Sequence, residues 1–149
     1  MAEEPRKLPE QYGALCYRCG IDGVEILLVS SRKSGHWIAP KGNPSRGLEP
    51  MTTAVHEAWE EAGVRGALTG EDVGSYLGVR SRAGREEQVR VHLFPLRVDV
   101  MAADFPEEPY RRRRWFRQHD AADAVHNPGL ARIMRDFVAP EVTSLSQAS

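Results

Sequence analysis

The stretch HEAWEEAG, His56 to Gly63, decides how the rest of the chain is read. It gathers three carboxylates, Glu57, Glu60 and Glu61, into five positions, with a histidine before them and a glycine after. From Pro50 to Ala62 the pattern is helical: proline suits a first helical position, the middle holds good helix formers, and Gly63 is placed to stop it. At about 100° per residue, Val55, Ala58, Trp59 and Ala62 fall on one face and the three glutamates on the opposite one. Carboxylates spaced i, i+3 and i+4 are neighbours on a helix surface and repel by roughly 0.2–0.5 kcal/mol per pair. Taken alone, the glutamates favour a solvated acidic face. The alternative is a cation that resolves the conflict: hard divalent ions take carboxylate oxygen, and Mg²⁺ joins a few protein carboxylates to water and substrate phosphates.

The flanking sequence favours the cation. PKGNPSRGLEP, Pro40 to Pro50, holds prolines and glycines that argue against regular structure, and it brings Lys41 and Gly42 beside the helix, a setting suited to phosphate chemistry. Upstream, GALCYRC and VEILLVSS read as two strands joined by a turn at GIDG, and HWIAP as a further short strand. Downstream, VGSYLGVRSR and VRVHLFPLRVDV read as strands, followed by a charged loop to RRRRWF and a last helix from about Pro128 to Phe137. No internal repeat or second domain is visible. The expected organisation is a flexible N-terminus over 1–10, a single domain over 11–138 and a flexible tail over 139–149.

The chain has 149 residues, enough for one domain with a proper core, and its 20 basic and 21 acidic side chains leave a formal charge of −1. A general polyanion binder is therefore not indicated, and any basic surface must be local. The first eleven residues contain no apolar run and no later stretch reaches the length of a membrane span, so a cytoplasmic protein without a membrane partner is expected. Cys16 and Cys19 form a lone C-x-x-C; without a second pair to complete a tetrahedral set they read as ordinary thiols on or beside a strand.

The segment from Gly42 to Val64 resembles the signature of the Nudix hydrolases, G-x5-E-x7-R-E-U-x-E-E-x-G-U with U a bulky apolar residue. Gly42, Glu57, Glu60, Glu61, Gly63 and Val64 stand at the required spacings. Leu48 replaces the first glutamate, with Glu49 one place late; His56 replaces the arginine; Ala58 is smaller than the usual residue. Together with ILLVSSRKSGHWIAPKG and RRRRWF, the similarity extends over most of residues 11–137 to the diphosphoinositol polyphosphate phosphohydrolase branch. That resemblance implies an α/β/α sandwich around a central mixed β-sheet, with the catalytic helix after a glycine-containing loop. It also implies hydrolysis of a diphosphate bond with Mg²⁺, or Mn²⁺. Its metal positions fall on the Lys41 carbonyl, Glu57 and Glu61, with Glu60 as the base and a further candidate ligand. Its phosphate contacts fall on Ser30, Ser31, Arg32, Arg85 and Arg111, to which the loop adds Lys41 and Gly42. The basic stretch near the N-terminus of that branch is not reproduced, since Gln11 and Tyr12 stand there.

The remaining features have plainer readings. If RRRRWF enters a strand, Arg111 and Arg113 share one face and Arg112 and Arg114 the other. Arg80, Arg82, Arg85 and Arg90 read as a solvated strand and loop, His56 as a supporting or surface histidine, and Asp104, Glu107 and Glu108 as an exposed loop. The expected activity is water attack on phosphorus in a small polyphosphorylated metabolite, a diphosphoinositol polyphosphate or a dinucleoside polyphosphate. Two alternatives stand beside it: a Nudix-fold sensor that binds without turnover, and an RNA 5′-end pyrophosphohydrolase, the latter disfavoured because spaced aromatics for stacking single-stranded nucleic acid are missing.

Overall fold

A computed structural model describes residues 7–141. Strands β1 (Glu10–Gly20) and β2 (Gly23–Ser30) form the expected antiparallel hairpin, closed by Gly20 opposite Gly23. β3 (Trp37–Ile38) and β8 (Arg113–Arg117) both pair with β2. On its other side β1 runs parallel to the long β7 (Arg85–Met101), whose far edge pairs antiparallel with β6 (Gly74–Arg82) and then with β5 (Val64–Leu68). One parallel ladder among antiparallel ones makes the sheet mixed, as expected.

Alternation along the central strands explains why helices cover both faces. In β1, Leu15 and Tyr17 point one way and Ala14 and Cys16 the other; in β2, Ile26 and Leu28 oppose Leu27 and Val29. The first set packs beneath α2 (Gln118–Ala124) and α3 (Pro128–Asp136) with Leu130, Met134 and Phe137. The second packs beneath α1 (Pro50–Glu57) and the turn after it, with Ala58, Ala62, Val64 and Leu96. Each fully buried leucine or valine contributes about 1.5–3 kcal/mol, so a sheet apolar on both sides is stable only as the middle layer. Cys16 belongs to this core, where burial pushes its thiol up to about 12, whereas Cys19 is exposed.

Several local expectations are revised. Lys41–Gly42, read as irregular, form a short β4 that pairs with Tyr12 and Gly13 of β1. β5 and α2 went unrecognised; VRGAL and QHDAADA are too short and too weakly patterned to stand out. β1 begins at Glu10, and at the other end Ala139 is buried and Glu141 accepts the Tyr17 hydroxyl at 2.9 Å; residues 1–6 and 142–149 of the two terminal segments lie outside the described residues. The expected arginine alternation holds: Arg111 and Arg113 are half-buried, Arg112 and Arg114 exposed, although the strand itself starts only at Arg113.

The helix over 50–62 is the largest revision. It is α-helical only to Glu57; Ala58–Ala62 is a π-helical turn, and Gly63 ends it with φ of 67°. The wider winding breaks the assignment of faces made at 100° per residue. Trp59 leaves the core and is half-buried beneath the Arg65 guanidinium, 4.0 Å from its ring, while Glu61 turns inward and is only 3% exposed. Gly63 also lies where any Cβ would run into the Phe105 ring. Gly63→Ala is expected to cost about 1–3 kcal/mol through strain at positive φ, lowering Tm by about 2–4 °C per kcal/mol in thermal unfolding followed by circular dichroism.

Candidate active site

The site forms where α1 and its π-helical turn lean on β4. Pairing of Gly13 with Lys41 brings the Pro40 carbonyl against β1, where it accepts from the Ala14 amide at 3.0 Å; a Cβ at Gly13 would strike that carbonyl oxygen. This close approach fixes the Lys41 backbone, whose N–H donates to Glu61 Oε2 at 2.9 Å. Glu57, one helical turn earlier, lays its carboxyl group over Gly42, and a Cβ there would collide with the carboxyl carbon and both oxygens. Glycine at 42 is thus a requirement of space, since the backbone must lie against the carboxylate itself.

Both carboxylates are held away from water. Burial pushes Glu57 up to about 7, with the Glu107 and Glu60 carboxylates adding to the rise and Arg111 and Lys41 opposing it. Burial pushes Glu61 up to about 8, outweighing Arg111 and the Lys41 amide, which favour its ionised form. Among the described residues Glu57 has no hydrogen-bond or ion-pair partner. Burial also lowers Lys41, whose ammonium donates to Gln11 Oε1 at 2.8 Å. Glu60, the third acid, is exposed.

Arg111 ties the site to the sheet. Its guanidinium pairs with Glu61 Oε1 at 2.9 Å through Nη2 and with Glu107 Oε1 at 3.0 Å through Nε, and donates from Nη1 to the Ser30 carbonyl at 3.0 Å. Glu107 reaches Arg32 as well, at 3.7 Å, and its amide donates to the Glu60 carbonyl at 3.0 Å. Glu107 therefore belongs to the site although it was read as part of an exposed loop. Its spacing of four residues before Arg111 was the available signal: the two flank a single 3-10 turn, Glu108–Tyr110, at whose ends they meet.

The other expected residues are distributed as follows. Ser30 is buried, its Oγ accepting from the Arg112 amide at 2.8 Å. Ser31 caps the following turn through the Lys33 and Ser34 amides. Arg32 stacks 4.3 Å above the Tyr110 ring, on the rim. Arg85 stands at the tip of the β6–β7 hairpin and makes no hydrogen bond or ion pair among the described residues with the glutamates. His56 is exposed, and Leu48 half-buried. The guanidinium that supports the acidic cluster comes from Arg111, not from position 56.

A NUDIX domain profile matches residues 9–137, nearly the whole described chain. The chain belongs to the Nudix family. It is 32% identical over 129 residues to mouse diphosphoinositol polyphosphate phosphohydrolase 3-alpha, covering 84% of this chain and 75% of the relative. It is 33% identical over 118 residues to human diphosphoinositol polyphosphate phosphohydrolase 2, covering 76% and 62%. Among solved structures, the fold is similar to a Nudix hydrolase from Nitrosomonas europaea, with a TM-score of 0.65, 18% identity and coverage of 87% and 88%. It is also similar to the C. elegans Ap4A hydrolase, with a TM-score of 0.60, 18% identity and coverage of 94% and 99%. This Nudix chain is a hydrolase of pyrophosphate-containing compounds.

Nudix hydrolases generally use divalent metal ions, and the donors here fit one: hard carboxylate oxygens, one buried against glycine with no partner, the other raised by burial despite a nearby arginine. Among the described residues no three His, Cys, Asp or Glu side chains converge on one point. The folded-state values of Glu57 and Glu61 lie above their unfolded ones, so the native state binds more protons. The metal-free protein should accordingly lose stability as pH rises from about 5 to 8. Added Mg²⁺, which needs the ionised forms, should raise Tm more at pH 8 than at pH 5; thermal melts with chelator and with Mg²⁺ at both pH values check this.

Proposed function

We propose that this protein is a Mg²⁺- or Mn²⁺-dependent pyrophosphohydrolase acting on a diphosphoinositol polyphosphate or a dinucleoside polyphosphate in the cytoplasm. The observation that carries this is the partnerless Glu57 carboxylate stacked on Gly42 beside a buried Glu61 and Arg111. The names of the relatives, and the absence of a helix among the described residues long and apolar enough to cross a membrane, support the substrate class and the setting.

Glu57, Glu61 and the Lys41 carbonyl would hold the ion. When bound, such an ion neutralises charge developing on the phosphate oxygens and acidifies water. Glu61 is fixed by the Lys41 amide and Arg111, and Glu57 is wedged against Gly42, so neither is free to move with a proton. Glu60 is exposed and is the carboxylate assigned to accept the proton as a water oxygen bonds to phosphorus. The bridging P–O bond breaks, and its electron pair leaves with the departing phosphate group. Arg111 and Arg32 share Glu107, and both are assigned to the substrate because guanidinium forks suit phosphate oxygens. Ser30 sets the Arg111–Arg112 backbone, and Ser31, Lys41 and Arg85 complete the polar surroundings assigned to the substrate.

Glu60→Gln is expected to lower kcat about a hundredfold or more, the usual scale for a positioned base. A screen of diphosphoinositol and dinucleoside polyphosphates with Mg²⁺ and Mn²⁺, following phosphate and nucleotide release, tests the function; an unchanged turnover number in the variant removes Glu60 from the reaction. Arg111→Ala should cost about 3–5 kcal/mol of stability, because it strands Glu61 in the interior; Arg111→Ala with Glu61→Gln should recover part of that loss in denaturant titrations.

A further inference from the structure

The turn that carries Glu60 and Glu61 is held from outside. A helix end leaves its last carbonyls without intrahelical donors, and π-winding is rare and confined to single turns. Here three carbonyls of the segment are taken by groups from elsewhere in the chain. The Glu60 carbonyl accepts from the Glu107 amide at 3.0 Å, the Gly63 carbonyl from the Ala102 amide at 2.8 Å, and the Ala62 carbonyl from Arg113 Nη1 at 2.8 Å. The other outer nitrogen of that guanidinium, Nη2, donates to the Ala102 carbonyl at 2.6 Å. One side chain therefore ties the end of the turn to the residue at which β7 gives way to the loop bearing Glu107.

Arg113 is itself well anchored. Its backbone pairs with Val29 in the ladder of β2 and β8, so the guanidinium is projected from the sheet. The Phe105 ring lies 4.8 Å from the guanidinium carbon, and the same ring fills the space beside Gly63 that a Cβ would need. The side chain is half-buried, and among the described residues it forms no ion pair. A guanidinium withdrawn from water is unfavourable unless acceptors meet its charge, and both acceptors here belong to the two segments it joins. The end of a helix carries partial negative charge, which favours a cation there, and a planar fork reaches two acceptors from one rigid group. Arg111 meets the acids themselves; Arg113 meets only main-chain oxygens.

We infer that Arg113 is a positioning residue for the hydrolysis: by bracing the π-helical turn against the start of the Glu107 loop, it keeps Glu60 and Glu61 oriented for the reaction without touching the substrate. The inference rests on the pyrophosphohydrolase reading above and adds to it a residue outside the acidic cluster that governs the cluster's geometry. Without this brace the Ala62 and Ala102 carbonyls lose their shared donor, and the turn is free to relax toward α-winding, which would carry Glu61 away from the Lys41 amide.

The test compares three variants. Arg113→Met keeps an apolar stem against Phe105 but removes both donors, Arg113→Lys restores a cation, and Ile133→Ala loosens the α3 layer on the opposite face. Amide hydrogen exchange of the metal-free chain, followed by NMR, gives a readout independent of activity. In Arg113→Met the Gly63, Ala102 and Glu107 amides should exchange about tenfold faster or more, the equivalent of one lost charge-assisted hydrogen bond, with the ladder of β1 and β7 unchanged. In turnover, kcat should fall about tenfold to a hundredfold, the range for residues that orient a metal's ligands, and the Mg²⁺ concentration for half-maximal activity should rise while KM holds. Arg113→Lys should recover part of both effects. Ile133→Ala should lower Tm yet leave kcat and the three amides as they are. Unchanged exchange, exchange that rises uniformly over the sheet, a rise in KM in place of the fall in kcat, or an equal loss of kcat in Ile133→Ala each overturns the positioning role. Should Arg113→Met not fold, Arg113→Lys carries the same comparisons. If the unsubstituted chain hydrolyses no diphosphate the enzymatic reading fails, and the exchange pattern by itself still decides whether Arg113 braces the turn.

Discussion

The burial of two acids against a loop with no room for a side chain is the constraint on which the rest of this molecule depends. Glu57 and Glu61 are taken out of water by Gly42 and the Lys41 backbone, and the sheet below supplies one guanidinium, from Arg111, to offset them. Removing carboxylates from solvent is unfavourable unless their charge is met, and a single arginine shared with Glu107 does not meet it in full. The apolar layers store the stability that makes such a cluster tolerable. Ala54, Ala58 and Ala62 let the helix sit close enough to the sheet for Glu61 to reach both Lys41 and Arg111.

The sheet's connectivity explains how residues distant in sequence meet there. β2 lies between β1 and β8, so Ser30 at its end is adjacent both to the start of the loop that leads to Lys41 and to the arginine run before β8. The Ser30 amide donates to the Arg112 carbonyl at 2.9 Å, and its own carbonyl takes a bond from Arg111. The loop bearing Glu107 is pinned in turn to the Glu60 carbonyl. Four segments are therefore cross-tied by backbone contacts before any ligand is considered, which is how a site built partly on loops can hold its shape.

Much of this was legible in the sequence because it depends on local pattern. The hairpin of GALCYRC and VEILLVSS, the stop at Gly63, the strand pair around β6 and β7 and the alternation of Arg111 to Arg114 follow from turn residues and periodicity. The acids, Lys41, Gly42 and Arg111 were identified by spacing and by likeness, and the structure brings these together. What escaped depends on tertiary context. The inward turn of Glu61 needs a π-helical winding that no propensity announces; Glu107 joins the site through a loop; and the link from Asn43 through Gln11 to Lys41 spans more than thirty positions. The half-buried placement of Trp59 outside the core is the same miss seen from the other side, since a wheel drawn at a fixed angle must exchange an aromatic for an acid when one turn is wider.

That wider turn sets a phase. Between Glu57 and Gly63 the chain carries one residue more than regular α-winding would need to present the same side chains, and its surplus sits in AWEEA. Deleting a residue ahead of Glu61 there would let the segment relax to uniform pitch with its two ends still in phase, and would remove the extra winding that turns the glutamate toward Lys41. The segment can thus accept many changes of identity, but a change of length by one would detune the whole cluster at once.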